Sequence, residues 1–442
     1  YPNIIRLLNI SPETLQSGRI ETISVDKLLS KSVNTEQYTK ENNLSLAANG
    51  TRYSTDFDGL IPRMMNHVLT ERVKEKKLKI EAEKALETDP NNEDMRVQKS
   101  ISGVKQMSLK IMANSAYGAL GSEYFFLYST PMAEAITISG QLIIRWVGKY
   151  LNEYLSQFTK VEKEYVIYGD TDSVYVNVQD LVDKYVADKP RDKIVDFLDK
   201  VGQDKLEAVI ENAFKDLSEY LNAMKPEVLD MKREVIADSA LWQAKKRYAM
   251  NVLDSEGVRY SKPKMKIMGL ETAKSSTPGV VREHLKELLY KVLNGTESEC
   301  QKYIKKTRKQ FLEYSIEEIA FPRGVNGLRK YHDYVSIYSK GTPIHVRGAL
   351  LYNHYLKTHA LEKQYELIQD GESIKFIMMK EPNPIHENVF AFLQVFPRET
   401  ELHKYVDYDL MFEKTFLEPM KSIFESVGWT MKKQRTLDNF LQ

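Results

Sequence analysis

Residues 165–178 constrain this chain more than any other stretch. They read Tyr-Val-Ile-Tyr-Gly-Asp-Thr-Asp-Ser-Val-Tyr-Val-Asn-Val. Val166, Tyr168, Val174, Val176 and Val178 fall at alternate positions, the period of strands with one buried face. Gly169-Asp170 between the two β-branched runs predicts a tight hairpin turn. Such a hairpin lifts two carboxylates, Asp170 and Asp172, to its tip at i and i+2. Acids that close repel and raise each other's pKa unless cations sit between them. Hard oxygen donors on a stiff turn suit Mg²⁺, which accepts few protein carboxylates and takes its other ligands from phosphate and water. The competing reading is a hairpin with a solvated Asp-rich turn. The apolar flanks and the motifs that follow weigh against it.

At 442 residues the chain exceeds one ordinary core, so two or three domains are expected. The formal net charge is +1, so global charge gives nucleic-acid binding no support and any electrostatic footprint must be local. A single cysteine, Cys300, excludes an intrachain disulfide and indicates a reducing compartment. His354 and His359 are the closest histidine pair, at a spacing that does not share a helix face, which argues against zinc. No apolar run reaches membrane-spanning length. The chain opens on Tyr1-Pro2 rather than Met, which leads us to expect an upstream partner segment.

Residues 1–57 read as irregular, with strand-like pieces and polar loops. A long helix is predicted from Gly59-Leu60-Ile61-Pro62, with proline in the first turn, to about Leu86. Asp89-Pro90-Asn91-Asn92 breaks it, and a second helix starts near Glu93 and runs through Met112. The two make an antiparallel hairpin in which residues equidistant from 91 face each other. Arg72 and Lys76 then lie one turn apart on the first helix. Lys110, Asn114 and Tyr117 form one stripe on the second. Arg72, Lys76 and Lys110 are expected to converge on one anion, and a triphosphate fits. Lys74, Lys77 and Lys79 read as solvated surface. Lys110, in an apolar segment, is expected to have a partner.

Residues 131–158 and 191–224 read as amphipathic helices. Lys245-Lys246-Arg247-Tyr248 precedes an alternating strand, and Lys262, Lys264 and Lys266 follow at period two. Stripes of this kind suit a phosphate backbone, bound through charge without reading sequence. From Pro278 the chain reads as mainly helical and mixed. Its last residues, with Gln434, Leu437, Phe440 and Leu441 after basic Lys432-Lys433, form either a peptide anchor for a partner or a fraying helix end.

Several of these stretches resemble the family B DNA polymerases, and specifically the replicative enzymes of large tailed bacteriophages. Tyr168-Gly-Asp-Thr-Asp-Ser173 resembles the family's motif C, and Lys110-Ile-Met-Ala-Asn114-Ser115-Ala-Tyr117-Gly118 resembles motif B on the fingers. Lys245-Lys246-Arg247-Tyr248 resembles the motif that holds the primer strand. Tyr1-Pro2 resembles the end of motif A. Ile4-Ile5-Arg6 with Ile10-Ser-Pro-Glu-Thr14, residues 264–272 and Lys274-Ser-Ser-Thr-Pro278 resemble the phage enzymes in particular.

The resemblance implies an α+β right-hand fold: an antiparallel-sheet palm (1–57 and 123–262), helical-hairpin fingers (58–122) and a mostly helical thumb (263–442). It implies a DNA-directed DNA polymerase that adds dNMP from dNTP to a primer 3′-OH with two Mg²⁺ ions, held by Asp170 and Asp172, the latter bridging. It assigns Arg72, Lys76 and Lys110 to the triphosphate, Asn114 and Tyr117 to the nascent base pair, and Tyr1 to the incoming sugar. Lys245, Lys246, Arg247, Tyr248, Lys264 and Lys266 become DNA contacts. Gln434, Leu437, Phe440 and Leu441 become a sliding-clamp peptide. The implied partners are primer-template DNA, dNTPs and a sliding clamp, in the cytoplasm of an infected bacterial host and with no membrane.

One departure is important. The family's motif A aspartate lies five residues before the tyrosine matched by Tyr1, and no acidic cluster here resembles a proofreading exonuclease. The expectation is therefore an enzyme active only with an N-terminal part that carries both. Two other readings compete. A DNA-binding and clamp-tethering module with a degenerate site would have no physical need for two adjacent unneutralised acids. A nuclease or cyclase built on a similar hairpin would need neither a triphosphate clamp nor a sugar filter.

Overall fold

The computed structural model describes residues 1–432. It divides into two compact units, Tyr1–Ile236 with Val252–Pro263, and Ala237–Asn251 with Lys264 onward. The first unit begins with helices α1 (Pro2–Leu8), α2 (Val25–Leu29) and α3 (Glu36–Thr39) and a hairpin of β1 (Leu44–Leu46) and β2 (Arg52–Ser54). Then come α4 (Leu60–Thr88), α5 (Glu93–Leu120), α6 (Thr130–Thr159), β3 (Val166–Asp170), β4 (Ser173–Val176), α7 (Gln179–Tyr185) and α8 (Arg191–Val201). A π-helical turn, Gly202–Leu206, leads into α9 (Glu207–Tyr220).

The expectation of an irregular start fails at once. Ile4, Ile5, Leu7 and Leu8 are all buried on α1, a helical pairing of apolar residues that a strand period would have split between two faces. The two long helices form where their caps put them. Glu13 accepts the Leu60 N–H at 2.5 Å and Asn9 accepts the Gly59 N–H at 2.9 Å, satisfying donors at the start of α4. A side chain at Gly59 would put its Cβ 2.7 Å from Ser11 Cβ, so this close approach requires glycine. Asn92 caps α5 by accepting the Met95 N–H at 3.1 Å, with Glu93 and Asp94 in the positive first turn. α6 carries the stripe that fills the first core, from Met132 through Ile136, Leu142, Trp146 and Leu151. Trp146 Nε1 donates to the Ala213 carbonyl of α9 at 3.0 Å.

The chain passes between the units along three strands, β5 (Val235–Ala244), β6 (Arg247–Ser255) and β7 (Val258–Met268), in sheet order β5-β6-β7. β6 is not the alternating strand the sequence suggested. Its residues Tyr248 to Asp254 are buried on both faces. The second unit adds α10 (Gly279–Asn294), α11 (Glu297–Phe311), α12 (Ile316–Ile319), β8 (Phe321–Gly324), α13 (Leu328–Tyr331), β9 (His332–Asp333) and β10 (Ile337–Tyr338). It continues with α14 (Ile344–Thr358), β11 (Ser373–Met378), β12 (Val389–Phe392), α15 (Tyr408–Phe412) and α16 (Glu418–Ser426). Its antiparallel sheet runs β12-β11-β8, with Phe376 opposite both Ala391 and Phe321. α14 packs so closely on β12 that a Cβ on Gly348 would lie 3.2 Å from the Ala391 nitrogen. Helices with antiparallel strands make this an α+β fold, as expected. Among the described residues no helix is long and apolar enough to cross a membrane.

Candidate active site

The site is built outward from the β3–β4 hairpin. Its register pairs Asp170 with Ser173, Gly169 with Val174 and Tyr168 with Tyr175, with an irregularity between Val166 and Tyr168. The turn therefore falls two residues later than Gly169-Asp170. Thr171 and Asp172 are the turn, with Thr171 at φ 54°. Asp170 ends the strand, half-buried, and Asp172 is exposed in the turn. The two carboxylates therefore differ in exposure. Asp170 accepts from the Thr171 hydroxyl at 3.0 Å, while its carbonyl receives the Ser173 hydroxyl at 3.2 Å.

α6 anchors the hairpin from below. Asn152 Oδ1 accepts two successive backbone N–H groups, from Tyr165 at 2.8 Å and Val166 at 2.9 Å. A Cβ at Gly169 would lie 3.3 Å from Ile144 Cδ1, so the strand end rests directly on the helix. Sequence reasoning missed Asn152. Between Leu151 and Glu153 an amide gives no signal of its own, since its neighbours one turn away, Lys149 and Ser156, are polar too.

Tyr1 and Tyr117 meet, with ring centroids 4.5 Å apart. A Cβ on Gly140 of α6 would lie 3.8 Å from Tyr1 Cε1, one helical turn before Ile144, on which Gly169 rests. The hairpin and the tyrosine pair thus meet the same stretch of α6. Cross-helix ion pairs fix the register of α4 against α5. Lys99 with Glu83 and Lys105 with Glu75 are centred on residues 91 and 90, which places Arg72 level with Lys110 as the hairpin geometry required.

Other side chains depart from what the sequence suggested. Lys110 is exposed rather than partnered, because its segment is not buried: Met107, Ile111 and Met112 face solvent as well. Arg72 is half-buried with its Nε unbonded. Lys76 is ion-paired with Glu256, in the turn between β6 and β7. Nothing in the sequence marked Glu256, since an acid before a glycine is an ordinary turn residue. In the second unit, Lys245 and Lys246 form the β5–β6 turn and Arg247 pairs with Glu271 at 3.3 Å. Tyr248 is buried with its ring 6.3 Å from Trp242. Lys264 is exposed and Lys266 half-exposed on β7. Gln434, Leu437, Phe440 and Leu441 lie outside the described residues.

The two carboxylates, two residues apart on the hairpin, suit hard cations in donor type. Among the described residues, however, no group of three or more His, Cys, Asp or Glu side chains is placed to hold a metal ion.

Comparison with known proteins agrees with this geometry. The family model described as DNA polymerase family B matches residues 1–189, and that of the divergent family B DNA polymerases matches residues 144–318. The DNA-directed DNA polymerase of Escherichia phage RB69 is 33% identical over 99% of this chain and 53% of its own length. That of Enterobacteria phage T4 is 30% identical over 99% of this chain and 54% of its own length. DNA polymerase 1 of Pyrococcus abyssi is 24% identical over 99% of the chain and 46% of its own length. The chain spans about half the length of these curated relatives. On the two family models, which together span residues 1–318, and this whole-chain similarity, the chain belongs to the family B DNA polymerases and resembles those of phages.

Proposed function

We propose that this chain supplies the nucleotide-binding and primer-binding parts of a template-directed DNA polymerase, together with two of its metal-site carboxylates. The observation that supports the reading is the β3–β4 hairpin, which carries Asp170 and Asp172 two residues apart and rests on the stretch of α6 that also meets the Tyr1–Tyr117 pair. Asp170 and Asp172 would hold divalent cations, with Mg²⁺ favoured by the hard oxygen donors. When bound, such ions supply a lowered pKa for the primer 3′-hydroxyl and charge neutralisation at the pyrophosphate. The protein's own work is positioning and charge. Asn152 and Ile144 fix the strand that carries Asp170, and the short turn holds Asp172 next to it. Tyr1, packed on Tyr117, would present a flat wall to the sugar of the incoming nucleotide and exclude a 2′-hydroxyl.

Lys110 and Arg72, level with each other on the helix pair, would receive the triphosphate. Lys76 would join them only on leaving Glu256, and Asn114 would stand beside the nascent pair. Lys245, Lys246, Arg247, Lys264 and Lys266 would carry the primer-template backbone, and buried Tyr248 would brace that strand. In this reading α4 and α5 are fingers, 1–57 and 123–262 are palm and 263–442 are thumb, with residues 434–441 as a clamp-binding tail. A further carboxylate from outside residues 1–442, borne by an N-terminal polymerase part, would complete the metal site. Asp172→Asn, assayed in a mixture with that N-terminal part, tests the assignment: incorporation should fall at least about 100-fold while primer-template affinity stays within about twofold. Undiminished incorporation would refute it.

A further inference from the structure

The first unit contains a second concavity, separate from the hairpin acids. It is a cleft of about 380 Å³ between α6, α7, α8 and the π-helical turn. Four aromatic rings line it in sequence. Tyr154 stacks on Phe158 at 5.9 Å, Phe158 meets Tyr185 at 5.9 Å, and Tyr185 meets Phe197 at 6.0 Å. Phe158 and Tyr185 remain 40% and 46% exposed, so neither is closed off from a ligand. Leu155 and Leu181, both buried, line it as well. The rim is charged. Lys200 and Lys205 line it with Asp204, and Lys184 lies 5.3 Å from the Tyr185 ring. The π turn places Asp204 and Lys205 there, and one-turn π insertions recur at binding sites.

We infer that this cleft binds a planar aromatic anion of about two fused rings. The volume lies in the lower part of the range for small-molecule sites. The ring wall offers stacking to a flat ligand, and the rim lysines outnumber the one aspartate, which selects a negative substituent. None of this depends on the polymerase reading. The test uses two fluorescent probes on the full chain: anilinonaphthalene sulfonate and its neutral counterpart N-phenylnaphthylamine. The anion should bind saturably, one per chain, and about tenfold more tightly than the neutral probe. Tyr185→Ala should weaken both by about tenfold, with circular dichroism unchanged because this ring is half-exposed. Lys200→Gln with Lys205→Gln should remove the preference for the anion while keeping the neutral probe. Equal affinity for the two probes, several equivalent sites, or binding indifferent to these folded variants would overturn the inference.

Discussion

Glu256→Gln is the most informative single change at the nucleotide end of the site. In the free protein the Lys76 ammonium is held by the Glu256 carboxylate, with side-chain exposures of 39% and 26%. A triphosphate that recruits Lys76 must first break this pair. Partly exposed ion pairs contribute roughly 0.5–1 kcal/mol, after screening and side-chain ordering are counted. The glutamine removes that competition, so the apparent Kd for a deoxynucleoside triphosphate should tighten by about two- to fivefold. Folding stability should fall by no more than about 1 kcal/mol. The assay is titration of a fluorescent deoxynucleoside triphosphate into the chain with primer-template and Mg²⁺ present. Lys76→Ala should weaken binding, and adding Glu256→Gln to it should have no further effect, which closes the cycle. If Glu256→Gln leaves the Kd unchanged while lowering stability, Lys76 is a structural strut and its triphosphate role is refuted.

Two further predictions concern the second unit. Gly348→Ala places a Cβ 3.2 Å from the Ala391 nitrogen and 3.2 Å from Val389 Cγ2. Backbone cannot yield as a side-chain tip does, so we expect a loss of about 1–3 kcal/mol in denaturant unfolding, and a neutral result would show that α14 shifts freely on β12. His284 sits between the hydroxyls of Tyr303 and Tyr314 at 2.9 and 2.8 Å. Burial, aided by Lys306, lowers its pKa, so the unfolded chain binds the proton more readily. The associated stability is present above the ordinary histidine value and is lost as pH falls through the folded pKa. Burial and Arg323 act on His345 in the same direction. The Tm should therefore drop more steeply between about pH 7 and pH 5 in the wild type than in His284→Gln, and parallel profiles would contradict this.

The parts of the fold set by local chemistry were legible in the sequence. The Asp89-Pro90-Asn91-Asn92 break placed the junction of the two long helices and the start of α5 at Glu93, although α5 runs on past Met112 to Leu120. The β-branched alternation fixed the hairpin. The turn was misplaced because Gly169 was read as the turn residue. In the fold Gly169 is the point where β3 rests on Ile144, and Thr171 takes the left-handed conformation instead. α1 escaped notice because its seven residues are too short to show a period. The full burial of β6 was invisible because it depends on the place of the strand between β5 and β7 and on distant partners such as Val195 beside Leu253 and Asn294 on Asn251. Of the candidate site, the placing of Asp170 and Asp172 on one hairpin and the level of Arg72 with Lys110 could be read from spacing. The Lys76–Glu256 pair and the support from Asn152 could not, since each joins segments whose meeting is decided by packing.

The central claim is that the hairpin acids serve a polymerase site completed by a carboxylate from outside these residues. Primer extension with Mg²⁺ and dNTPs tests it, using this chain alone and mixed with a polypeptide carrying the N-terminal portion of its phage relatives. The account predicts template-directed extension only in the mixture, and its loss when this chain carries Asp172→Asn. No extension by a mixture that assembles and binds primer-template, or extension indifferent to Asp172, would contradict it.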